Sequence, residues 1–262
     1  MKRAQVWSLV GALALLGSSQ AQDLDGEQIV RKAEEMHRAR DERGVVDLVL
    51  VTASGKRERR SMETFFKQGE GEDDMTLLRF LSPPKVRGTS LLTREATGRP
   101  DDQWIYLPAF KKSKKIASNK RTNRFAGTDF TFEDLRTEDY SGNTYRRLDD
   151  RTVKLPDGPT ECFVVEATPK NPDLSGYSRR LIYVEKKRFL IVRVEFFDKK
   201  GRHQKTLTAR GFEKVGGLWR AKRSMMEDHL RGSKTVMQFS ERTINPGLSD
   251  SLFTKQSLER GL

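Results

Sequence analysis

The alternation of apolar and polar positions changes period once, near residue 44, and keeps the new period almost to the end of the chain. Over 25–43 the apolar residues Ile29, Val30, Ala33 and Met36 recur at helical spacing. That predicts a helix with one narrow apolar stripe, which needs a sheet or a second helix to cover it. Asp25 is placed to cap it, Glu27 lies in its first turn, and Gly44 reads as its stop. From Val45 the period is two. A series of strands follows, at 45–51, 59–67, 75–81, 88–93 and 104–107, resuming at 145–148 and running to 233–245. Ser54-Gly55, Asp198-Lys199-Lys200-Gly201 and Gly216-Gly217 supply hairpin turns. Short helices are predicted at 130–135 and 249–253.

Strands that recur every 8–12 residues or so describe an antiparallel meander closing on itself. The fold class is therefore mainly β with few helices. It is an incomplete antiparallel β-barrel of about eleven strands, with helices covering an apolar cavity. Such cavities are where barrels hold apolar ligands.

The first residues change the picture of where this sheet resides. Lys2 and Arg3, the apolar run 6–16 and Ser19-Gln20-Ala21 have the layout of a secretory signal peptide. An apolar core of about 11 residues is too short to span a bilayer, which needs about 20. The expectation is a signal peptide at 1–21 and one exported domain at 22–262, soluble in the periplasm, with no cysteine at the cleavage point to carry a lipid. The chain has 50 Lys and Arg against 37 Asp and Glu, a net charge of +13. Export makes nucleic acid the weakest of the partners that such a charge fits, after anionic lipid and acidic protein. Cys162 is the single cysteine, so no internal disulfide can form, and it reads as a small buried hydrophobe.

Catalytic patterns are missing. His37, His203 and His229 are scattered, and there is no HExxH, P-loop or G-x-S-x-G. Asp101-Asp102 and Asp149-Asp150 are adjacent pairs, read as turn residues rather than as carboxylates placed across a bond. Neither an enzyme nor a cofactor is expected. The stretch 101–135 carries the most information. A strand, Trp104-Ile105-Tyr106-Leu107, ends at Pro108 and is followed by Lys111, Lys112, Lys114, Lys115, Arg121 and Arg124. These six are the candidates for docking on lipid headgroups or an acidic partner surface. Phe125 and Phe130, with Trp104, Tyr106 and Leu91, are the candidates for lining an apolar pocket with a cationic mouth.

These residues also carry a resemblance. The leader, the early helix, Phe80-Leu81-Ser82-Pro83-Pro84-Lys85-Val86-Arg87-Gly88-Thr89, Trp104-Ile105-Tyr106-Leu107-Pro108 and Arg124-Phe125-Ala126-Gly127-Thr128-Asp129-Phe130 are together similar to the outer-membrane lipoprotein-sorting proteins of the LolA/LolB-like superfamily. The closer similarity is to the branch found beside RND/MMPL-type exporters. The resemblance implies an incomplete barrel of about eleven strands. It also implies a carrier of lipid or lipoprotein acyl chains across the periplasm, acting without covalent chemistry, with such an exporter as a possible partner. A basic periplasmic adaptor that docks on the exporter and holds no ligand of its own is the alternative.

Overall fold

The computed structural model describes residues 24–69, 73–96, 101–137 and 140–260. The leader predicted at 1–21 lies outside them. The first helix, α1 (Gly26–Glu35), is shorter than its pattern predicts. The Asp25 side chain accepts from the Gln28 amide while the Gln28 side chain accepts from the Asp25 amide, closing a capping box. Chain extension begins at Asp41, so Gly44 does not stop the helix. It sits inside a strand, where a Cβ would lie 3.0 Å from the Glu241 carbonyl oxygen. The buried stripe is Ile29, Val30 and Ala33; Met36 is the C-cap and is exposed.

Thirteen strands follow among the described residues. The first six are β1 (Asp41–Val51), β2 (Arg57–Lys67), β3 (Met75–Ser82), β4 (Ser90–Arg94), β5 (Asp102–Leu107) and β6 (Lys112–Lys115). The other seven are β7 (Asn143–Leu155), β8 (Gly158–Pro169), β9 (Tyr177–Glu185), β10 (Leu190–Asp198), β11 (His203–Val215), β12 (Leu218–Asp228) and β13 (Ser233–Ile244). They form one antiparallel sheet in the order β6-β5-β4-β3-β2-β1-β13-β12-β11-β10-β9-β8-β7. The expected open antiparallel architecture is present, with two more strands than the pattern suggested. One of them, β6, is made of Lys112-Ser113-Lys114-Lys115, which has no apolar alternation to read. Asp149-Asp150 is not a turn: both residues lie inside β7, where the ladder to β8 shifts register between Leu148 and Arg151.

The sheet is two meanders, β1–β6 and β7–β13, zipped together along β1 and β13. Their joint places β6 and β7 at opposite edges, so the connection 116–142 must pass from one edge to the other. Its described residues lie over the inner face, where Phe125 and Phe132 join the cluster of the first meander and Phe130 that of the second. The strap meets the β8–β9 connection there: Glu133 accepts from the Gly176 amide at 2.7 Å and from the Ser175 hydroxyl. The predicted helix at 130–135 is absent. Thr131 and Asp134 instead exchange hydrogen bonds across a turn, from the Thr131 amide to the carboxylate and from the Asp134 amide to the hydroxyl.

Two coverings share the inner face. On the β7–β13 side, α1 lays Ile29, Val30 and Ala33 on Phe163, Val165, Ala167, Ile182 and Val184. Gly26 starts this helix because a Cβ there would stand 3.0 Å from the Arg147 amide nitrogen of β7. On the β1–β5 side the strap inserts Phe125 and Phe132 among Val46, Leu48, Met62, Leu78, Phe80 and Leu91. The outer face of β2–β5 is covered by the chain end. Phe253 and Leu258 of α2 (Lys255–Arg260) and the turn before it pack on Phe65, Leu77 and Leu92.

Candidate functional site

A cavity of about 460 Å³ opens at the seam of the incomplete barrel, between α1, the end of the strap and the inner face of β8–β11. Val30, Ile182, Ile191, Val194, Phe196 and Leu207 form its apolar wall. Ile182, Val194, Phe196 and Leu207 reach the inner face by strand alternation, and Ile191 joins them because β10 shifts register between Ile191 and Arg193, while Leu190 and Val192 face outward. The cavity's polar lining comes from α1 (Glu34), the strap (Glu133, Asp134, Arg136), the residue after β8 (Lys170) and β9 (Arg180). The size is that of a small-ligand site.

A buried polar cluster separates this cavity from the packed half of the barrel. Lys205 of β11 reaches Asp134 of the strap at 2.5 Å, and both side chains are almost fully buried, at 1% and 2% exposure. Tyr177 donates its hydroxyl to the other Asp134 oxygen at 2.6 Å. Burial, and then the adjoining carboxylate, push the Tyr177 hydroxyl well above the ordinary phenol range, so it remains a donor. The ammonium also lies 5.0 Å and 5.4 Å from the ring centres of Tyr177 and Phe196. One step along the strap, the Asp129 carboxylate accepts from Ser233 at 2.6 Å, Thr235 at 2.7 Å and Arg124 at 2.9 Å. Each buried charge is therefore met by several partners, as burial demands. Together they bolt the strap to β11 and β13.

At the other rim the Thr137 amide donates to Glu95 at 2.7 Å. Burial pushes the Glu95 carboxyl up to about 8, with the neighbouring Asp74 and Asp101 charges adding to it. Cys162, buried on the face away from α1, has its thiol pushed up to about 11 by burial and stays an inert apolar filler at neutral pH.

The residues predicted for the pocket do not share one cavity. Leu91 and Phe125 are in the packed strap cluster, where Phe125 stacks on Phe80 with ring centres 5.5 Å apart. Trp104 and Tyr106 pack with the chain end on the opposite face of the sheet. This is a parity effect: Ile105 pairs with Leu91 inside, so its neighbours point outside. Phe130 lies in the core beneath α1. Of the basic candidates, Lys111, Lys112, Lys114 and Lys115 are exposed at the sheet edge. Lys115 pairs with Asp102, and Ser113 between the lysines binds Glu259 of α2 at 2.5 Å. Arg121 and Arg124 are structural instead. Arg121 is buried and donates to the Asp101 carbonyl at 2.6 Å, and Arg124 is spent on Asp129 and the strap carbonyls of Gly127 and Thr128. The cavity wall was overlooked because Ile182 and Leu207 belong to ordinary alternating strands and the register shift that turns both Ile191 and Val194 inward leaves no mark in the sequence. Only their sharing of one face with α1 distinguishes them, and Lys205 has no sequence signal at all.

A family model described as "Uncharacterized protein" matches residues 72–260. Among solved structures, an outer membrane lipoprotein-sorting protein domain from Vibrio parahaemolyticus is 30% identical, with a TM-score of 0.84, covering 92% of this chain and 100% of that one. A DUF1329 family protein from Desulfovibrio piger is 29% identical, with a TM-score of 0.83 and coverage of 89% and 97%. A LolA superfamily protein from Nitrosomonas europaea shares the fold at 19% identity, with a TM-score of 0.71 and coverage of 89% and 99%. No curated protein matches in sequence.

Proposed function

The chain belongs to the outer-membrane lipoprotein-sorting family, and on that premise, with the fold it shares with a LolA superfamily protein, we propose that it is a periplasmic carrier. It binds lipid or lipoprotein acyl chains without covalent chemistry and moves them towards the outer membrane. The observation that carries this reading is the apolar-walled cavity of about 460 Å³ at the barrel seam. Each buried CH₂ contributes about 0.8 kcal/mol, so one enclosed chain suffices for tight binding. Release then requires a partner that opens the seam or offers a better site. Delipidated protein is expected to bind a fluorescent acyl probe saturably, and Val194→Trp, which fills the cavity, is expected to abolish it. Non-saturable uptake by both proteins would contradict the reading.

The exposed lysines of the β5–β6 corner support a docking role on an anionic membrane or an acidic partner, an RND/MMPL-type exporter among them. Each cation near an anionic surface contributes about 1 kcal/mol, less at high salt. Replacing Lys111, Lys112, Lys114 and Lys115 by Gln is expected to weaken vesicle association and flatten its salt dependence. Unchanged association at low salt would reduce these lysines to a solvated edge. The same four side chains favour the adaptor reading, in which docking is the whole function. Saturable probe binding separates the two.

A further inference from the structure

We infer that the seam cavity takes a single acyl chain, that of a one-chain amphiphile with a zwitterionic head, in preference to a diacyl lipid or a multiply acylated lipoprotein. This rests on the carrier reading and narrows its cargo. The first argument is volume. A cavity of about 150 Å³ accommodates benzene, or about 25 Å³ per carbon. At that density the seam cavity of about 460 Å³ holds roughly eighteen carbons, one chain and not two.

The second argument is that the cavity has no room to extend into the interior. Towards β1–β5 it ends at the Lys205–Asp134–Tyr177 cluster. Beyond that the inner face is already filled by Phe80, Phe125 and Phe132, with successive ring centres 5.5 Å and 5.9 Å apart. Towards the sheet it is floored by Ile182 and Val194, and towards the helix by Val30. A second chain would have to displace α1 or the buried ion pair, or lie outside the mouth at Lys170, Asn171 and Leu174.

The third argument is the charge of the lining. Glu34, Glu133 and Asp134 are matched by Arg136, Lys170 and Arg180. Glu34 accepts from the Tyr140 hydroxyl, Arg136 pairs with Asp101, and Lys170 donates to the Ser141 carbonyl at 2.8 Å. The rim is therefore balanced, although the whole chain is strongly basic. A bare carboxylate head gains little from such a rim. A head that carries both signs can meet Glu34 with its cation and Lys170 with its phosphate, each at a partly exposed group.

The test uses the delipidated full chain and native mass spectrometry with four probes offered separately. They are palmitoyl lysophosphatidylethanolamine, palmitate, dipalmitoyl phosphatidylethanolamine and a tripalmitoylated peptide. The expected result is one lysophosphatidylethanolamine per protein, bound about tenfold or more tighter than each of the other three. In a series of lysolipids the affinity is expected to rise with chain length and level off near roughly eighteen carbons. Equal or tighter binding of the diacyl lipid or the tripalmitoylated peptide overturns the one-chain claim. Equal binding of palmitate overturns the head-group claim. Binding of none of the four overturns the carrier reading itself. Leu207→Trp and Val194→Trp are expected to lose the lysolipid while keeping the thermal midpoint within a few degrees. A full-affinity complex in both variants places the ligand elsewhere and overturns the inference.

Discussion

The inner face of the barrel is covered twice, and the two coverings leave opposite results. Over β1–β5 the strap contributes aromatic rings that reach down into the sheet, Phe125 onto Phe80 and Phe132 beside them, and the hollow on that side, of about 390 Å³, lies at the end of the β1–β2 hairpin beside Arg60, Arg124 and Asp129 rather than beneath the rings. Over β7–β11 the cover is a rigid ten-residue helix whose stripe is Ile29, Val30 and Ala33. Such a stripe seals the sheet along one line, and the space beside it becomes the seam cavity. An extended strap conforms to the surface it crosses, whereas a straight helix across a curved sheet does not. The same fold thus builds a packed core and a pocket side by side, divided by a buried ion pair.

The largest effect is expected at that division. Lys205→Met leaves the Asp134 carboxylate buried without its cation, and losing one partner of a buried pair costs about 3–5 kcal/mol. Chemical denaturation is expected to show that loss, and Lys205→Met with Asp134→Leu to recover much of it. A Lys205→Met midpoint equal to that of the parent protein would mean that the strap is not held there.

Next in size is a matched pair of insertions. Leu91→Trp enters the filled half and is expected to cost about 1–3 kcal/mol by overpacking, with acyl-probe binding unchanged. Val194→Trp enters the open half and is expected to remove binding with little loss of stability. If the two effects are exchanged, the halves have been assigned the wrong way round.

The smallest effect is one of pH. Glu95 holds its proton in the fold up to about 8 against an ordinary value of 4.5. Its contribution to stability is therefore fully present below 4.5 and is lost as the pH rises through about 8. Because the Thr137 amide donates to Glu95 at the cavity rim, the strap end is expected to loosen over the same window. Glu95→Gln is expected to flatten the dependence of the thermal midpoint between pH 5 and about pH 8. An unchanged slope would remove Glu95 from the account.

The architecture was legible because alternation and turn residues are local: Gly55, Gly201 and Gly217 do sit in turns at positive φ. The family likeness was legible too. The site was not, for three physical reasons. Parity across one strand sent Trp104 and Tyr106 to the outer face while Leu91 pointed in. The strap's polar anchoring depends on Lys205, Ser233 and Thr235, which come from strands far along the chain. Arg121 and Arg124 resemble their basic neighbours in sequence, yet each is consumed by carbonyl or carboxylate oxygens of its own fold. Charge runs are usually solvated, and the four lysines follow that rule whereas the two arginines do not.

The central claim is that the α1 half of the inner face holds an acyl chain while the strap half is filled core. Methyl NMR during titration of the delipidated protein with palmitoyl lysophosphatidylethanolamine addresses it residue by residue. The account predicts saturable shifts for the methyl groups of Val30, Ile182, Ile191, Val194 and Leu207, with those of Val46, Leu48, Leu78 and Leu91 unmoved. Shifts confined to the second group, or no saturable shift in either, would contradict it.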